Sequence, residues 1–279
     1  MTIVRPELFA LLCCPTCRAD LTEMVSTLRC ANGHLFPVVD GVPVFLDEGR
    51  DVAVRPEDHV SHQPAADLVA EFADIEGPWL HLGAGATETR VPGCVELETV
   101  VFRNTDVVAD GACLPFRTGS LHGFLALNVF EHLPAPDRVI AEIDRVLVPG
   151  APVVVQTAFL QPLHADPGHF FNATEGGIRQ WFRDFTIDDV VIPANFQPVF
   201  AFAWQAADLL YWSTDGPRAD LEKLTLGELA EFWTDPATRH GPVWDAFAAL
   251  RPAGRRVLAA GFELRARSRG RYRFEGAES

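Results

Sequence analysis

This 279-residue sequence predicts a mixed α/β fold built on a parallel sheet, preceded by a small module held together by a metal ion. Three observations carry the prediction. Between residues 79 and 157, short apolar runs alternate with stretches of helical spacing, as strands joined by crossovers do. The first of these runs, Trp79-Leu80-His81-Leu82, stops at Gly83-Ala84-Gly85, where glycines let the backbone turn sharply and approach a ligand. In open α/β sheets, ligands bind outside the carboxyl ends of the strands. Finally, four of the six cysteines fall within residues 13–30, with His34 close behind.

Composition narrows the function classes. Apolar residues make up 48% of the chain, enough for a large domain and a small one. Lys+Arg number 23 against 38 Asp+Glu, a net charge of −15. Such a surface repels phosphates, so a nucleic-acid partner is not expected without a local basic patch. Residues 251–279 hold eight arginines against three glutamates and read as a charged edge strand with a frayed end. No apolar run approaches the ~20 residues that span a bilayer. The apolar stretch 8–14 follows Glu7 with no basic segment before it, so a secretory leader is not expected and the predicted compartment is the cytoplasm.

The metal module is read from C-x2-C-x12-C-x3-H, that is Cys14, Cys17, Cys30 and His34. Two close pairs on tight turns can converge on one tetrahedral ion, and Pro15 and Gly33 supply the turn chemistry. Four ligands leave no open position, so a bound Zn2+ would be structural. Cys13 is a spare thiol beside the set. Residues 35–46 then place two apolar runs around Asp40-Gly41, a hairpin signal, with prolines that suit edge strands. The predicted division is a module over 1–48, a polar linker over 49–63 and a larger domain over 64–279.

Within the larger domain, a helix is expected over 64–76 and strands at 79–82, 94–98, 107–109, 121–129 and 152–157, with a helix over 137–147. Pro92-Gly93 comes seven residues after Gly85, too soon for a full crossover helix. The position that a G-x-G-x-x-G dinucleotide motif would give to its last glycine is Glu88. A cofactor without a pyrophosphate suits this better. Either Glu96 or Glu98, at the end of the second strand, could accept hydrogen bonds from ribose hydroxyls, and Glu98 is preferred. Further helices are expected at 206–212 and 221–234, and a last strand over 257–267, completing the sheet.

In order, "L-G-A-G", "V-A-D-G-A-x-L-P-F", "N-V-F-E-H-L" and "E-I-D-R-V-L-V-P-G" resemble the class I S-adenosylmethionine-dependent methyltransferases, type 11-like, in the compact branch with a shortened first crossover. Residues 1–48 resemble the zinc-ribbon modules that accompany such enzymes. The resemblance implies a Rossmann-like sheet. Gly83, Ala84 and Gly85 would contact the methionine moiety, Glu98 would hold the ribose, Asp110 and Gly111 would frame the adenine, and Asn128 would lie beside the cofactor. The chain departs from the family pattern at Thr87, where a third glycine is common, at His122, where an aspartate is usual, and at Ala151, which replaces the second glycine after the helix.

The loop 159–174 follows the fifth strand and faces the expected crevice. A hydroxyl acceptor must lose a proton during methyl transfer, a task suited to histidine near neutral pH. His164 and His169 are the candidates, with Asp166 as orienting partner. The aromatic residues of 178–250 could line an acceptor pocket or a homodimer contact. The expected activity is methyl transfer to the oxygen or nitrogen of a small or medium acceptor such as a sugar or secondary metabolite. The rival readings are a non-catalytic cofactor-binding scaffold whose ribbon docks a partner, and an RNA methyltransferase.

Overall fold

The computed structural model describes residues 3–46 and 63–265. Apart from Gln63, the predicted linker lies outside the described residues. The chain forms two compact units, one of Met1–Leu160 with Ala165–Ile192, the other of Gln161–His164 with Pro193–Ser279.

The first unit opens with a one-turn helix, α1 (Pro6–Phe9), and a four-stranded antiparallel sheet, β1 (Leu21–Glu23), β2 (Thr27–Cys30), β3 (Leu35–Val39) and β4 (Val42–Pro43). The β3–β4 turn is made by Asp40 and Gly41, both with positive φ (48° and 84°), the left-handed pair that hairpin twist favours. The module is built into the larger fold. Val44 pairs in parallel with Val108, the Phe45 amide donates to Val108 O at 2.7 Å, and Leu12 bridges Phe116. Arg18 donates to Leu114 O at 2.9 Å and to Glu142 at 2.8 Å. The module thereby covers one edge of the central sheet that follows.

That sheet has α2 (Ala66–Ala73) before it and contains β5 (Trp79–Leu82), β6 (Cys94–Glu98), β7 (Val107–Val108), β8 (Phe124–Leu127) and β9 (Val153–Gln156). All pairings are parallel, in the order β7-β6-β5-β8-β9, so the first strand sits centrally, where the strand order reverses and ligands bind in open sheets of this kind. Strands β5 and β8 are buried on both faces; β8 is accordingly apolar throughout, and β5 carries one buried polar residue, His81. Side chains alternate, so Leu80, Leu82, Leu97 and Phe124 face α3 (Pro136–Val146), whose Val139, Ile140, Ile143 and Val146 are buried against them. Each such side chain contributes about 1.5–3 kcal/mol of burial. The opposite face is thinner, covered by α2 through Phe72, whose ring meets Trp79 at 4.8 Å. Between β5 and β6 no helix forms, as Pro92-Gly93 predicts. The last helix of this unit, α4 (Glu175–Trp181), is capped by Thr174, whose hydroxyl accepts from the Gly177 amide at 3.0 Å.

The second unit is helical: α5 (Pro198–Trp212), α6 (Asp215–Leu221), α7 (Leu226–Thr234), α8 (Pro242–Ala248) and α9 (Pro252–Val257). Arg251 lies over the Tyr211 and Trp212 rings at 5.2 and 5.0 Å. The strand expected over 257–267 does not form. Pro252, preset for the first turn of a helix, starts α9, and residues 258–265 are irregular, with Phe262 and Leu264 exposed, so their alternation finds no partner strand. Residues 266 and 267 lie outside the described residues. Among the described residues, no helix is long and apolar enough to cross a membrane.

Candidate functional site

The candidate site is built from the carboxyl ends of the strands. Gly83 follows β5 with φ +67°, and a Cβ there would meet Val129 Cγ2 at 2.4 Å. Ala84 is buried and Gly85 also has positive φ (65°). Glu98, the last residue of β6, accepts from the Gly85 amide at 2.6 Å and from the Thr99 amide at 3.2 Å. Burial pushes its carboxyl above the ordinary value, and the two amides oppose that shift. The glycine turn and the acid are thus brought together, while Glu96 is not part of this set. Glu96 is 2% exposed, and its carboxyl takes the Thr87 hydroxyl at 2.7 Å. Thr87 therefore stands in place of a glycine because it solvates a buried acid. His122 has a comparable local reason: its ring packs against Gly77, where a Cβ would come within 2.7 Å.

Asp110 follows β7 and accepts from the Ala112 amide at 2.9 Å, capping a 3-10 turn over Gly111–Cys113. Gly111 is buried against Leu82 and Val139, with 3.3 Å left for a Cβ. Asn128 follows β8 with φ +56°, a conformation that asparagine tolerates, and its Oδ1 is buried with no hydrogen-bond partner among the described residues. An orphaned buried carbonyl at a strand's carboxyl end is what a donor on a bound ligand would satisfy.

Of the three proposed catalytic residues, His169 Nε2 lies 3.0 Å from both Phe171 O and Asn172 Oδ1, and its ring meets the edge of His132 at 5.7 Å. Asp166 precedes Pro167 in the same unit, through a cis peptide bond. His164 belongs to the second unit, where its Nδ1 lies 3.0 Å from Pro162 O and its ring stands 5.2 Å from Trp204.

A further residue escaped the sequence reading. Glu131 is fully buried; its Oε2 accepts the Thr157 hydroxyl at 2.9 Å and its Oε1 has no partner among the described residues. Its backbone carbonyl accepts from the Phe170 and Phe171 amides at 2.7 and 3.2 Å, anchoring the loop that carries His169. The available signal was an acid three residues after Asn128 at a strand end.

At the other site, Cys14, Cys17, Cys30 and His34 bring four ligand atoms within 4.8 Å of one another. His34 Nδ1 lies 3.5, 3.6 and 3.2 Å from the sulfurs of Cys14, Cys17 and Cys30, and the Cys17 and Cys30 sulfurs are 3.7 Å apart. A tetrahedral zinc site with usual bond lengths has edges of about 3.6–3.8 Å, so the set fits a small N-terminal zinc module. The Ala19 amide, with the Asn32 side chain, brings the Cys17 thiol down to about 6, toward the thiolate a metal needs.

Part of this chain is similar to known methyltransferases. Residues 91–155 match the family described as a methyltransferase domain. An uncharacterized methyltransferase of Mycobacterium sp. (strain JLS) is 37% identical over 110 residues, covering 38% of this chain and 42% of that protein. Two solved structures are similar. One, from Bacillus halodurans C-125, is assigned to the methyltransferases (13% identity, 42% of this chain and 65% of the other, TM-score 0.33). The other is Haemonchus contortus phosphoethanolamine N-methyltransferase 2 with phosphomonomethylethanolamine and S-adenosylhomocysteine (11% identity, 62% of this chain and 48% of the other, TM-score 0.36). This chain spans less than two thirds of the length of each of these relatives. The parallel sheet with its first strand central and a glycine turn at its carboxyl end defines a Rossmann-like α/β domain. The methyltransferase-domain match spans β6, β7, β8 and most of β9, together with α3.

Proposed function

We propose that the chain is an S-adenosylmethionine-dependent methyltransferase acting on the oxygen or nitrogen of a small or medium acceptor such as a sugar or secondary metabolite. The observation that carries this reading is Glu98, drawn onto the Gly85 amide at 2.6 Å across a turn with no helix behind it. An acid poised there suits vicinal hydroxyls, and the missing helix removes a pyrophosphate site. In this reading Gly83, Ala84 and Gly85 receive the methionine moiety, Asp110 and Gly111 frame the adenine, and the Asn128 carbonyl accepts from the cofactor. The cofactor supplies an electrophilic methyl group; the protein aligns the acceptor and accepts its proton. His169 and His164 are the candidate bases, with Asp166 as orienting partner, and Glu131 positions the loop of His169 through its carbonyl.

The domain division is read as a zinc ribbon over 1–48, a linker over 49–63 and the methyltransferase part beyond. Three thiolates and an imidazole suit Zn2+, and a full coordination shell makes its role structural. The exposed Phe200 and Phe202 of α5 support the homodimer reading, and the net charge of −15 supports a non-nucleic acceptor.

A crystal grown with S-adenosylhomocysteine tests the proposal. It should show the ribose on Glu98 and the sulfur within reach of His169. Density absent from the turn at Gly83–Gly85, with the ligand present at millimolar concentration, would refute it.

A further inference from the structure

The shortened crossover has a structural consequence on the thin face of the sheet. Where a crossover helix would lie, a cavity of about 150 Å³ remains between α2 and the strands. One wall is apolar and partly aromatic, formed by Leu68, Val69, Phe72 and Trp79. The other is polar. His81 and Glu96 face it from directly paired positions on β5 and β6. Both side chains are 2% exposed, and His81 Nε2 has no hydrogen-bond partner among the described residues. Glu96 receives the single Thr87 hydroxyl across both of its oxygens, at 2.7 and 2.9 Å, so one proton serves two acceptors. None of the residues assigned to the cofactor lines this space. The mouth runs past Glu88 and Gln63, whose side chain reaches Ala86 O and the Glu88 amide, each at 3.2 Å.

We propose that this cavity is a second binding site, for a small flat heteroaromatic amine. The volume is that of one six-membered ring with a substituent, since an apolar cavity of about this size accepts benzene. A ring nitrogen beside an amino group offers an acceptor and a donor side by side. That edge pairs with His81 Nε2 in either tautomer while donating to Glu96. The ring plane lies against the aromatic wall. Burial holds His81 neutral, with its pKa brought down to about 4, so the site presents no cation to repel a protonated amine.

The test uses 2-aminopyridine as probe and the full-length chain. Calorimetry should show saturable 1:1 binding with a Kd at or below about 1 mM, weakened at least tenfold by Val69→Phe, which fills the space, and by His81→Phe, which removes the ring nitrogens. Benzene binding should survive His81→Phe and fail in Val69→Phe. No saturation in the wild type by about 10 mM, or unchanged binding in folded Val69→Phe, overturns the proposal. If either variant loses its circular-dichroism signal, a wild-type crystal soaked in 2-aminopyridine decides. Density between His81 and Glu96 supports the site, and ordered water alone overturns it.

Discussion

Glu96 concentrates the physics of this molecule at the scale of a single residue. Burial raises its pKa to about 7, with the Thr87 hydroxyl opposing. A folded pKa above the unfolded 4.5 means that the folded state holds the extra proton. The stabilisation is complete below pH 4.5 and is lost as pH rises to 7 and beyond. Glu96→Gln should therefore gain stability relative to wild type between pH 4.5 and pH 8. The gain should grow by about 1.4 kcal/mol for each pH unit crossed between the two pKa values, measured by denaturant unfolding at the two pH values. An unchanged difference would show that the acid is solvated. Gly83 makes an independent prediction. Its positive φ and the 2.4 Å approach of Val129 mean that Gly83→Ala must displace the turn, with an expected loss of at least tenfold in cofactor affinity and about 1–3 kcal/mol in stability. The glycine turn and Glu98 were legible in the sequence because each rests on local chemistry. Glu131 was not, because its partners Thr157, Phe170 and Phe171 come from distant stretches that only the fold assembles.

At the scale of elements, the shortened crossover was legible because Pro92-Gly93 leaves no room for a helix. The hairpin at Asp40-Gly41 was legible because few residue pairs adopt its turn. The strand expected at 257–267 shows the opposite case: apolar alternation at Phe262 and Leu264 signals a strand only where a partner edge exists, and Pro252 starts a helix instead. The depth to which the N-terminal module is built into the sheet was also illegible. Its contacts run from Val44 to Val108 and from Arg18 to Glu142, pairs far apart in sequence. Through those contacts, a zinc ion on the four ligands would stabilise the first unit as well as the module. Chelation of zinc should lower the melting temperature by about 6–12 °C, as a loss of about 3 kcal/mol does in a unit of this size, with one zinc released per chain by metal analysis. Cys30→Ala should reproduce the shift. A chain that melts identically with and without chelator would show that the four ligands hold no metal.

For the whole molecule, charge and fold point the same way. A net charge of −15 leaves little counterion release to drive RNA binding, so the chain should elute free of RNA at 150 mM salt, and retention at that salt would favour the RNA-directed reading. Everything proposed for the crevice depends on the carboxyl ends of β5, β6 and β8 holding S-adenosylmethionine. Calorimetric titration of the full chain with S-adenosylmethionine measures this. One site per chain is expected, with affinity reduced about 10–100-fold by Glu98→Ala, the loss expected when a charged acceptor leaves its hydroxyl partners. The absence of both heat and thermal stabilisation at millimolar cofactor would contradict it.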